Sequence, residues 1–506
     1  MKRIRLYSSI LIIVIILATG CRIGEQRITE VSPIGNLRQD TLLIDAEKID
    51  VSIEDVHNYD IKVEVDTEKD QLFCAQQVDY INNTQQVLNE VYFNLYPNAF
   101  KTPNTAPMLF NNSVDSNNYV GGFLDFNSIL IEDQSVSYEI LGIGETILKI
   151  PLEVPLEIGD RMTIDMIYTV QIPNLRERFG VWDGVYNLGN WYPVAAVFDH
   201  KGWNLEPYYS VGDPFYSEVS NYRVTITLPE DMIVASSGNI LSHTIIDNKG
   251  IWEIEAKLMR DFAWGSSSSF QLEEVMVEDT VVKMYFLTKD ATVRKKAKEY
   301  TINSLETFNS VFGSYPYGQY SVVETNFPSG MEYPGLVFIG KQYYNKNNLE
   351  SLELIIVHET AHQWWYGVIG NDQINEAWLD ESLATYSEVI YYREVYDDAK
   401  GLNHHISRNE SSYEVIKDLV KDQRILKSLA EFDGWFDYGN LVYSQGARML
   451  YNLEKDYGKE ALYKILTTYY IENQFKVTTT EDFIEVCERV LGVDKQIFFK
   501  SWLLGL

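Results

Sequence analysis

The hydrophobic pattern changes its period once along the chain, near residue 288, and this change most constrains the fold. Before it, short runs rich in Val, Ile, Thr and Tyr alternate between apolar and polar residues, as in 59–65 and 222–228. A period of two predicts β-strands that bury one face. After it, helix-like runs dominate from Val293 onward, with one further strand expected at 320–323.

The two patterns together predict a multidomain α+β protein. We expect an antiparallel β-saddle or β-sandwich domain over residues 46–288 and a mainly α-helical domain over 289–506. A chain of 506 residues is long enough for two or three domains, and its 45% of hydrophobic residues excludes wholesale disorder. The formal net charge of -31 would repel phosphates, so we predict no nucleic-acid partner.

The amino terminus has the pattern of an export signal. A basic start precedes an apolar stretch over 6–17, which closes on Leu-Ala-Thr-Gly and then Cys21. This order is typical of a secretory signal, and a cysteine after small residues resembles the lipobox of bacterial lipoproteins. We predict a signal peptide over 1–20, acylation of Cys21, a tether over 21–45, and an extracytoplasmic location on the bacterial cell membrane. An uncleaved signal anchor is the alternative.

The other cysteines offer no redox or metal motif. With Cys21 acylated, Cys74 and Cys487 remain, more than 400 residues apart, and no Cys-x-x-Cys occurs. We therefore predict two buried free thiols rather than a disulfide.

The sharpest motif is His358-Glu359-Thr360-Ala361-His362. Histidines at positions i and i+4 of a helix lie one turn apart on one face, so both imidazoles can reach one metal ion. Neutral imidazole suits zinc, and Glu359 can reach a water at the metal as a general base. The motif predicts a catalytic zinc site.

A third ligand is expected nineteen residues beyond His362, at Glu381, in a second helical run. A catalytic zinc takes three protein ligands and keeps one position open. Asp380 is the rival by proximity, but it would point about 100° away around the helix. We expect one Zn²⁺ per chain, bound by His358, His362 and Glu381.

With this spacing, the sequence resembles the aminopeptidase N family of zinc metallopeptidases, in the form of a short lipoprotein-type member. Residues 45–506 carry the likeness. Further stretches resemble the family's Gly-Ala-Met-Glu-Asn strand, its Tyr-x-Lys-Gly-Ala motif, its β-saddle domain and the close of its catalytic domain: 329–333, 442–447, 191–193 with 236–238, and 480–503. The resemblance implies that the helical domain is thermolysin-like.

The resemblance also implies roles for individual residues. Gly330, Met331 and Glu332 would bind substrate, with Glu332 anchoring the free α-ammonium of a peptide. Tyr443 would donate a hydrogen bond to the oxyanion that develops at the scissile carbonyl. Glu359 would act as general base and then pass its proton to the leaving amine.

The chain departs from the family pattern at several positions. Tyr333 replaces an asparagine, which we expect to alter the pocket beside the ammonium anchor, and Gln445 stands where lysine is usual. His404 and His405 are adjacent, so on a helix their side chains would diverge, and we expect a solvated turn there rather than a second metal pair.

These observations predict a lipid-anchored zinc aminopeptidase that cleaves peptides with a free amino terminus. Two alternatives within enzymes are a zinc endopeptidase and an epoxide hydrolase of the same fold. A third, from another class, is a non-catalytic peptide-binding or adhesion lipoprotein.

Overall fold

A computed structural model of the chain describes residues 29–30, 41–44, 49–107 and 118–505. The predicted signal peptide, Cys21 and most of the predicted tether lie outside the described residues. Within those ranges, no helix combines the length and apolar character needed to cross a membrane.

Strands dominate the first region, up to about residue 270, because their alternating sequence gives each one a buried and a solvent-facing side. In β2, for example, every second residue is buried. In chain order the strands are β1 (Thr29–Glu30), β2 (His57–Asp66), β3 (Gln71–Ile81), β4 (Leu88–Asn94), β5 (Phe123–Ile131), β6 (Gln134–Ser135), β7 (Glu139–Leu141), β8 (Ile147–Leu156), β9 (Arg161–Gln171), β10 (Phe179–Trp182), β11 (Val185–Leu188), β12 (Val194–Ala195), β13 (Phe198–Asp199), β14 (Gly202–Trp203), β15 (Ser220–Pro229), β16 (Ile233–Ser236), β17 (Asn239–Ile246), β18 (Lys249–Met259) and β19 (Trp264–Ser267).

The largest sheet of this region has nine strands in the order β1-β17-β18-β15-β2-β3-β9-β5-β6. Its pairs are antiparallel except β15 with β2, which run parallel. Two four-stranded sheets, β10-β11-β19-β16 and β12-β4-β8-β7, accompany it. The predicted β-rich first half is therefore confirmed.

Two pieces of the predicted tether contact the folded body. Strand β1 pairs with β17, so that Thr29 lies opposite Ile245. Further along, the amide of Leu43 donates to the carbonyl of Pro316 at 2.7 Å. The described parts of this segment thus add to the fold at both regions of the molecule.

The second region begins with strands and continues mainly as helices, as predicted. Its strands are β20 (Gln271–Val277), β21 (Thr280–Phe286), β22 (Gln319–Thr325), β23 (Gly330–Met331), β24 (Leu336–Gly340), β25 (Gly370–Asn371) and β26 (Val477–Thr478). Its helices are α1 (Ala291–Val311), α2 (Leu349–Ala361), α3 (Trp378–Val395), α4 (Asp398–His405), α5 (Ser411–Ile416), α6 (Trp435–Tyr438), α7 (Gly446–Tyr457), α8 (Lys459–Asn473), α9 (Thr480–Leu491) and α10 (Gln496–Leu503).

Five strands of the second region form a mixed sheet in the order β20-β21-β22-β24-β23. The predicted boundary at residue 288 falls after β20 and β21, although β21 pairs with β22 of the second region. By hydrogen bonding, these two strands belong to the sheet that carries the helices. The two-residue strand β23 lies at its edge.

Helices α2 and α3 pack against each other at the centre of the second region. All residues of α3 from Trp378 to Tyr392 are buried, polar ones included. A helix that is buried on every side needs partners for its polar groups, and on α3 those partners build the site described below.

Arg260 joins the first region to the turn that follows α2. Its guanidinium donates to the carbonyls of Tyr366 (2.9 Å), Ser217 (2.7 Å) and Lys476 (3.1 Å). Tyr366 has a φ of 111°, a conformation that a bulky residue adopts only when its surroundings impose it. Arg260 therefore holds a strained turn close behind the end of the motif helix.

The predicted state of two cysteines is confirmed. Cys74 and Cys487 are both free thiols and both buried. Burial raises the pKa of each thiol because it disfavours the thiolate.

Candidate metal centre

The three predicted ligands converge in the structure. His358 and His362 project from the last turn of α2, and Glu381 projects from the first turn of α3. The Nε2 atoms of the two histidines are 3.1 Å apart, and each lies 3.2 Å from Oε2 of Glu381. All three side chains are buried.

This triangle fits a zinc ion. Zinc takes imidazole nitrogen and carboxylate oxygen at about 2.0–2.1 Å, and tetrahedral ligands at that distance are roughly 3.3 Å from one another. The observed separations of 3.1–3.2 Å are close to this value. Asp380 does not join this triangle; its Oδ2 accepts from Gln373 at 2.6 Å instead.

The far side of His358 is held by a carboxylate that sequence reasoning missed. Nδ1 of His358 lies 2.9 Å from Oε1 of Glu388, which is fully buried on α3. The other oxygen of Glu388 contacts Nε2 of His404 at 2.7 Å and Nε of Arg408 at 3.3 Å. Glu388 follows Glu381 by seven residues on one helix, hence on the same face, and this spacing was the available signal.

Electrostatics keep Glu388 ionised. Burial alone would raise its pKa, but the positive charge of Arg408 and the hydrogen bonds with His358 and His404 lower it below the ordinary range of a glutamate. A carboxylate on the outer nitrogen of a metal ligand fixes the ring and increases its basicity. The expectation of a solvated turn at His404 and His405 is wrong, since both lie at the end of α4 and His405 is fully buried.

The far side of His362 is held differently. Its Nδ1 lies 3.0 Å from the backbone carbonyl of Trp365, in the turn after α2. Arg260 binds the carbonyl of the next residue, Tyr366. One histidine is thus oriented by a buried charge and the other by a backbone turn.

Glu359 lies at the metal centre with one oxygen unpaired. Among the described residues, Oε2 of Glu359 is buried and has no hydrogen-bond partner. Burial raises the pKa of this carboxyl to about 8, with the charge of His358 opposing the shift and that of Glu332 adding to it. A Cβ at position 330 would lie 2.0 Å from Oε1 of Glu359, so any side chain there would displace this carboxylate.

The predicted ammonium anchor, Glu332, directly follows the edge strand β23. It is 4% exposed, and its Oε1 accepts from Nε2 of Gln373 at 3.1 Å. One carboxylate oxygen of Glu332 lies within 4.8 Å of ligand atoms of both His362 and Asp380. The carboxylate therefore faces the metal centre from the His362 side.

The first region contributes a further acid, for which the sequence offered no position. Asp213 lies in the segment between β14 and β15, and its oxygen is within 4.8 Å of oxygens of Glu332 and Glu381. It forms an ion pair of 2.5 Å with Arg178. Burial raises the pKa of Asp213 well above its usual value, although Arg178 opposes the shift.

Two residues of the 329–333 stretch do not line the cavity as the structure describes it. Met331 is fully buried in the edge strand. Tyr333 points into the junction with the first region, where its hydroxyl donates to Asn190 at 3.3 Å and its ring lies over Gly189. The expectation that Tyr333 alters the pocket is wrong, because packing between the regions turns its side chain away.

Tyr443 lies in a π-helical turn, Gly439–Gln445, that places it over the metal ligands. Its ring stacks on His358 with centroids 5.6 Å apart. Its hydroxyl donates a short hydrogen bond to Oε1 of Glu381, the oxygen of that ligand that does not face the histidines. The structure thus brings Tyr443 into contact with two of the three metal ligands.

The metal ligands, Glu359, Glu332, Asp213, Glu388 and Tyr443 border one cavity of about 340 Å³. Its polar floor holds the metal ligands, Glu359 and Glu332. Its remaining walls mix aromatic and aliphatic side chains with polar ones, including one arginine from each region: Arg178, Phe327, Ser329, Tyr343, Ser351, Leu354, Ile355, Arg408 and Trp435. A cleft in which several polar groups converge between apolar walls has the character of a ligand site.

Comparisons with known proteins agree with this description. Residues 296–502 match the family model described as the peptidase family M1 domain. Aminopeptidase N of Streptomyces lividans is 26% identical over 215 residues, which are 39% of this chain and 24% of that protein. Aminopeptidase N of Lactococcus lactis subsp. lactis is 21% identical over 405 residues, 75% of this chain and 46% of that protein. The chain thus spans less than half the length of these curated relatives.

Among solved structures, the M1 zinc metallopeptidase of Deinococcus radiodurans is similar over 93% of this chain and 96% of that chain, with a TM-score of 0.63 and 17% identity. At this identity the likeness concerns the fold.

Fold and ligand set together define a zinc metallopeptidase of the H-E-x-x-H class with a downstream glutamate. Residues 296–502 are similar to the peptidase family M1 domain, the family that the aminopeptidases N above represent. The metal of this site is accordingly zinc.

Proposed function

We propose that this protein is a zinc-dependent aminopeptidase that removes residues from the free amino end of peptides. One observation carries the proposal: the metal triangle, the unpaired carboxylate of Glu359 and the buried carboxylate of Glu332 border a single cavity. The first two provide hydrolysis, and the third provides a fixed partner for a terminal ammonium.

For hydrolysis, His358, His362 and Glu381 would hold a zinc ion, which would supply Lewis-acid polarisation of a carbonyl and make water easier to deprotonate. Glu359 accepts the proton of the attacking water, because its Oε2 has no other described partner. The same carboxyl then gives the proton to the leaving amine. Gly330 keeps the strand backbone close to this carboxylate, since no side chain separates the two.

The amino end of the substrate is held by the acidic side of the cavity. Glu332 and Asp213 present oxygens within 4.8 Å of each other, with Glu381 in the same group. A buried ammonium group is costly unless it is paired and hydrogen-bonded. Carboxylate oxygens accept strong, charge-assisted hydrogen bonds from such a group. Fixing that end places the first peptide bond, and no later one, over the metal.

Tyr443 acts on the scissile carbonyl. Its hydroxyl is held against Glu381, so it lies beside the position where negative charge develops. A donor aimed at that charge stabilises the transition state more than the ground state.

A relative supports peptides as the substrate class. A mutant form of the Deinococcus radiodurans metallopeptidase was solved with a Tyr-ser-ala substrate, and this chain resembles it over 93% of its length with a TM-score of 0.62 and 16% identity.

The test is a panel of aminoacyl fluorogenic amides with the zinc-loaded protein. We expect turnover that chelation abolishes and zinc restores. Glu359→Gln should retain about one zinc per chain and lose at least about 100-fold in kcat, because a general base contributes about 10²–10⁴. Full activity of that variant would exclude Glu359 as the base.

A second comparison tests the amino-end anchor. We expect N-acetylated peptides to resist cleavage, since they carry no ammonium for Glu332. Equal cleavage of free and acetylated peptides would instead indicate an endopeptidase.

We further propose that Cys21 is acylated and anchors the protein to the bacterial cell membrane, outside the cytoplasm. The support is the lipobox-like sequence at the end of the apolar stretch. Cys21→Ser should move the protein from the membrane fraction to the soluble fraction; unchanged fractionation would contradict acylation.

A further inference from the structure

Two arginines border the cavity, and their surroundings differ. Arg178 is buried and has a partner of its own, Asp213, at 2.5 Å. Arg408 lies in the π-helical turn Ile406–Glu410, and its side chain is 37% exposed. Among the described residues that line the cavity, only Arg408 therefore presents an accessible positive charge.

The guanidinium of Arg408 is only partly used by the protein. Its Nε contacts Glu388, and that carboxylate also serves His358 and His404. Among the described residues, the two terminal nitrogens of Arg408 make no hydrogen bond. A planar fork with free N–H groups is suited to a carboxylate, which it can bind through two parallel bonds.

Arg408 and Glu332 flank the metal centre from different histidines. Glu332 has an oxygen within 4.8 Å of His362, whereas Arg408 is connected to His358 through Glu388. The cavity thus contains a carboxylate near one metal-binding histidine and a cation behind the other. A short peptide has the complementary arrangement, an ammonium at one end and a carboxylate at the other.

We propose that Arg408 binds the free α-carboxylate of the substrate, so that the protein prefers peptides of two or three residues. This inference rests on the proposed aminopeptidase function and specifies its substrate class. A dipeptide spans at most about 7 Å and a tripeptide about 10 Å, lengths that a cavity of about 340 Å³ accommodates. Binding both ends fixes the register of the peptide and leaves longer chains without the second contact.

Arg408 also has a structural role to separate from this one, since it supports Glu388 and through it the ligand His358. Loss of that support would weaken cleavage of every substrate alike. Loss of a carboxylate contact would weaken only those substrates that end in a free carboxylate. The ratio between two matched substrates therefore distinguishes the two roles.

The experiment compares Ala-Ala-Ala with its carboxyl-terminal amide, using the full-length zinc-loaded protein and measuring released alanine. We expect kcat/KM for the free acid to exceed that for the amide by about 10- to 100-fold, mainly through KM, because a hydrogen-bonded charge pair contributes on this scale. Arg408→Gln should bring the ratio to about 1, and Arg408→Lys should leave an intermediate value.

Two further variants serve as controls. His404→Gln removes another partner of Glu388 and should keep the acid-to-amide ratio high, because any loss through Glu388 affects both substrates. Arg424→Gln removes an arginine that pairs with Asp422 and Glu431 outside the cavity and should change nothing. Zinc content is measured for each variant.

The outcomes separate the two proposals. If the acid-to-amide ratio of kcat/KM is near 1 in the wild type, or stays high in Arg408→Gln, Arg408 does not bind the substrate carboxylate. Cleavage of the amide in the same experiment would still support the aminopeptidase activity. Equal losses on both substrates in Arg408→Gln assign the residue to support of Glu388 alone. No cleavage of any peptide or fluorogenic amide overturns the aminopeptidase and this inference with it.

Discussion

His57 in the first region and His358 in the second are both buried histidines stacked on a tyrosine. The ring centroids of His57 and Tyr80 are 4.3 Å apart, and those of His358 and Tyr443 are 5.6 Å apart. The exposed fractions of the two histidines are 6% and 8%. By burial and packing alone the two would be taken for the same kind of residue.

Their polar neighbours make them different. Nδ1 of His57 accepts from the amide of Ile81 at 3.2 Å, and burial together with nearby Arg161 lowers the pKa of His57 to about 4. Burial acts in the same direction on His358, but the hydrogen bonds that its ring donates to Glu381 and Glu388 overcome it and raise the pKa to about 9 in the metal-free protein.

The comparison shows that burial alone keeps a histidine neutral. Buried carboxylates next to the ring instead favour a positive charge on it, whether a proton or a metal ion. Both carboxylates come from one helix, α3, at positions seven residues apart. Zinc binding replaces the proton that these acids would otherwise stabilise on the imidazole.

The largest expected difference is between the two tyrosines. Tyr443→Phe should lower kcat on aminoacyl amides by about 10²–10³, the usual loss for one oxyanion donor. Tyr80→Phe, the matched change in the first region, should leave kcat within about twofold. Equal effects of the two substitutions would contradict a catalytic role of the Tyr443 hydroxyl.

The next prediction concerns how much His57 contributes to the loss of folding stability at low pH. Below pH 6.5 the unfolded chain protonates this histidine while the folded protein, with a pKa of about 4, does not. The contribution of His57 to stability is therefore constant above pH 6.5 and falls as the pH drops toward 4, by about 3 kcal/mol in total.

Chemical denaturation at several pH values measures this loss. His57→Gln should remove about 3 kcal/mol of the decrease between pH 7 and 4, whatever its stability at neutral pH. His200→Gln, at an exposed turn position, should leave the decrease as in the wild type. If the free energy of unfolding of His57→Gln falls with pH as steeply as that of the wild type, other groups cause the acid sensitivity.

The smallest effect tests the carboxylate behind His358. Glu388→Ala should weaken zinc binding by about 10- to 100-fold, because outer partners of metal ligands contribute on that scale. Competition with a chelator measures the affinity. Glu454→Ala, which removes a largely buried carboxylate paired with Arg393, should not change it. If zinc affinity stays the same in Glu388→Ala, backbone placement of His358 alone suffices.

Much of the secondary structure could be predicted from the local pattern of apolar and polar residues. The alternating runs 59–65 and 222–228 lie inside β2 and β15, because each strand buries one face in the sheet. The metal ligands were also accessible from sequence, since helical spacing places His358 and His362 on one face. The same rule links Glu381 to Glu388, and applying it to α3 would have found the second carboxylate.

Other parts of the site depend on long-range packing that no local pattern encodes. Asp213 and Arg178 reach the cavity from the first region, and Arg408 reaches it from a π-helical turn. Tyr333 is turned away because Gly189 and Asn190 of the first region receive its ring and hydroxyl. The positions of Asp213, Arg178 and Tyr333 are decided by how the two regions meet.

The pairing of β1 with β17 also has a consequence for the proposed membrane anchor. Thr29 is held at the edge of the nine-stranded sheet, eight residues after Cys21. Eight residues reach at most about 29 Å. If Cys21 carries the proposed lipid, this length is the largest distance between the bilayer surface and the sheet edge at β1. The short connection would then restrict the orientation of the folded protein on the membrane.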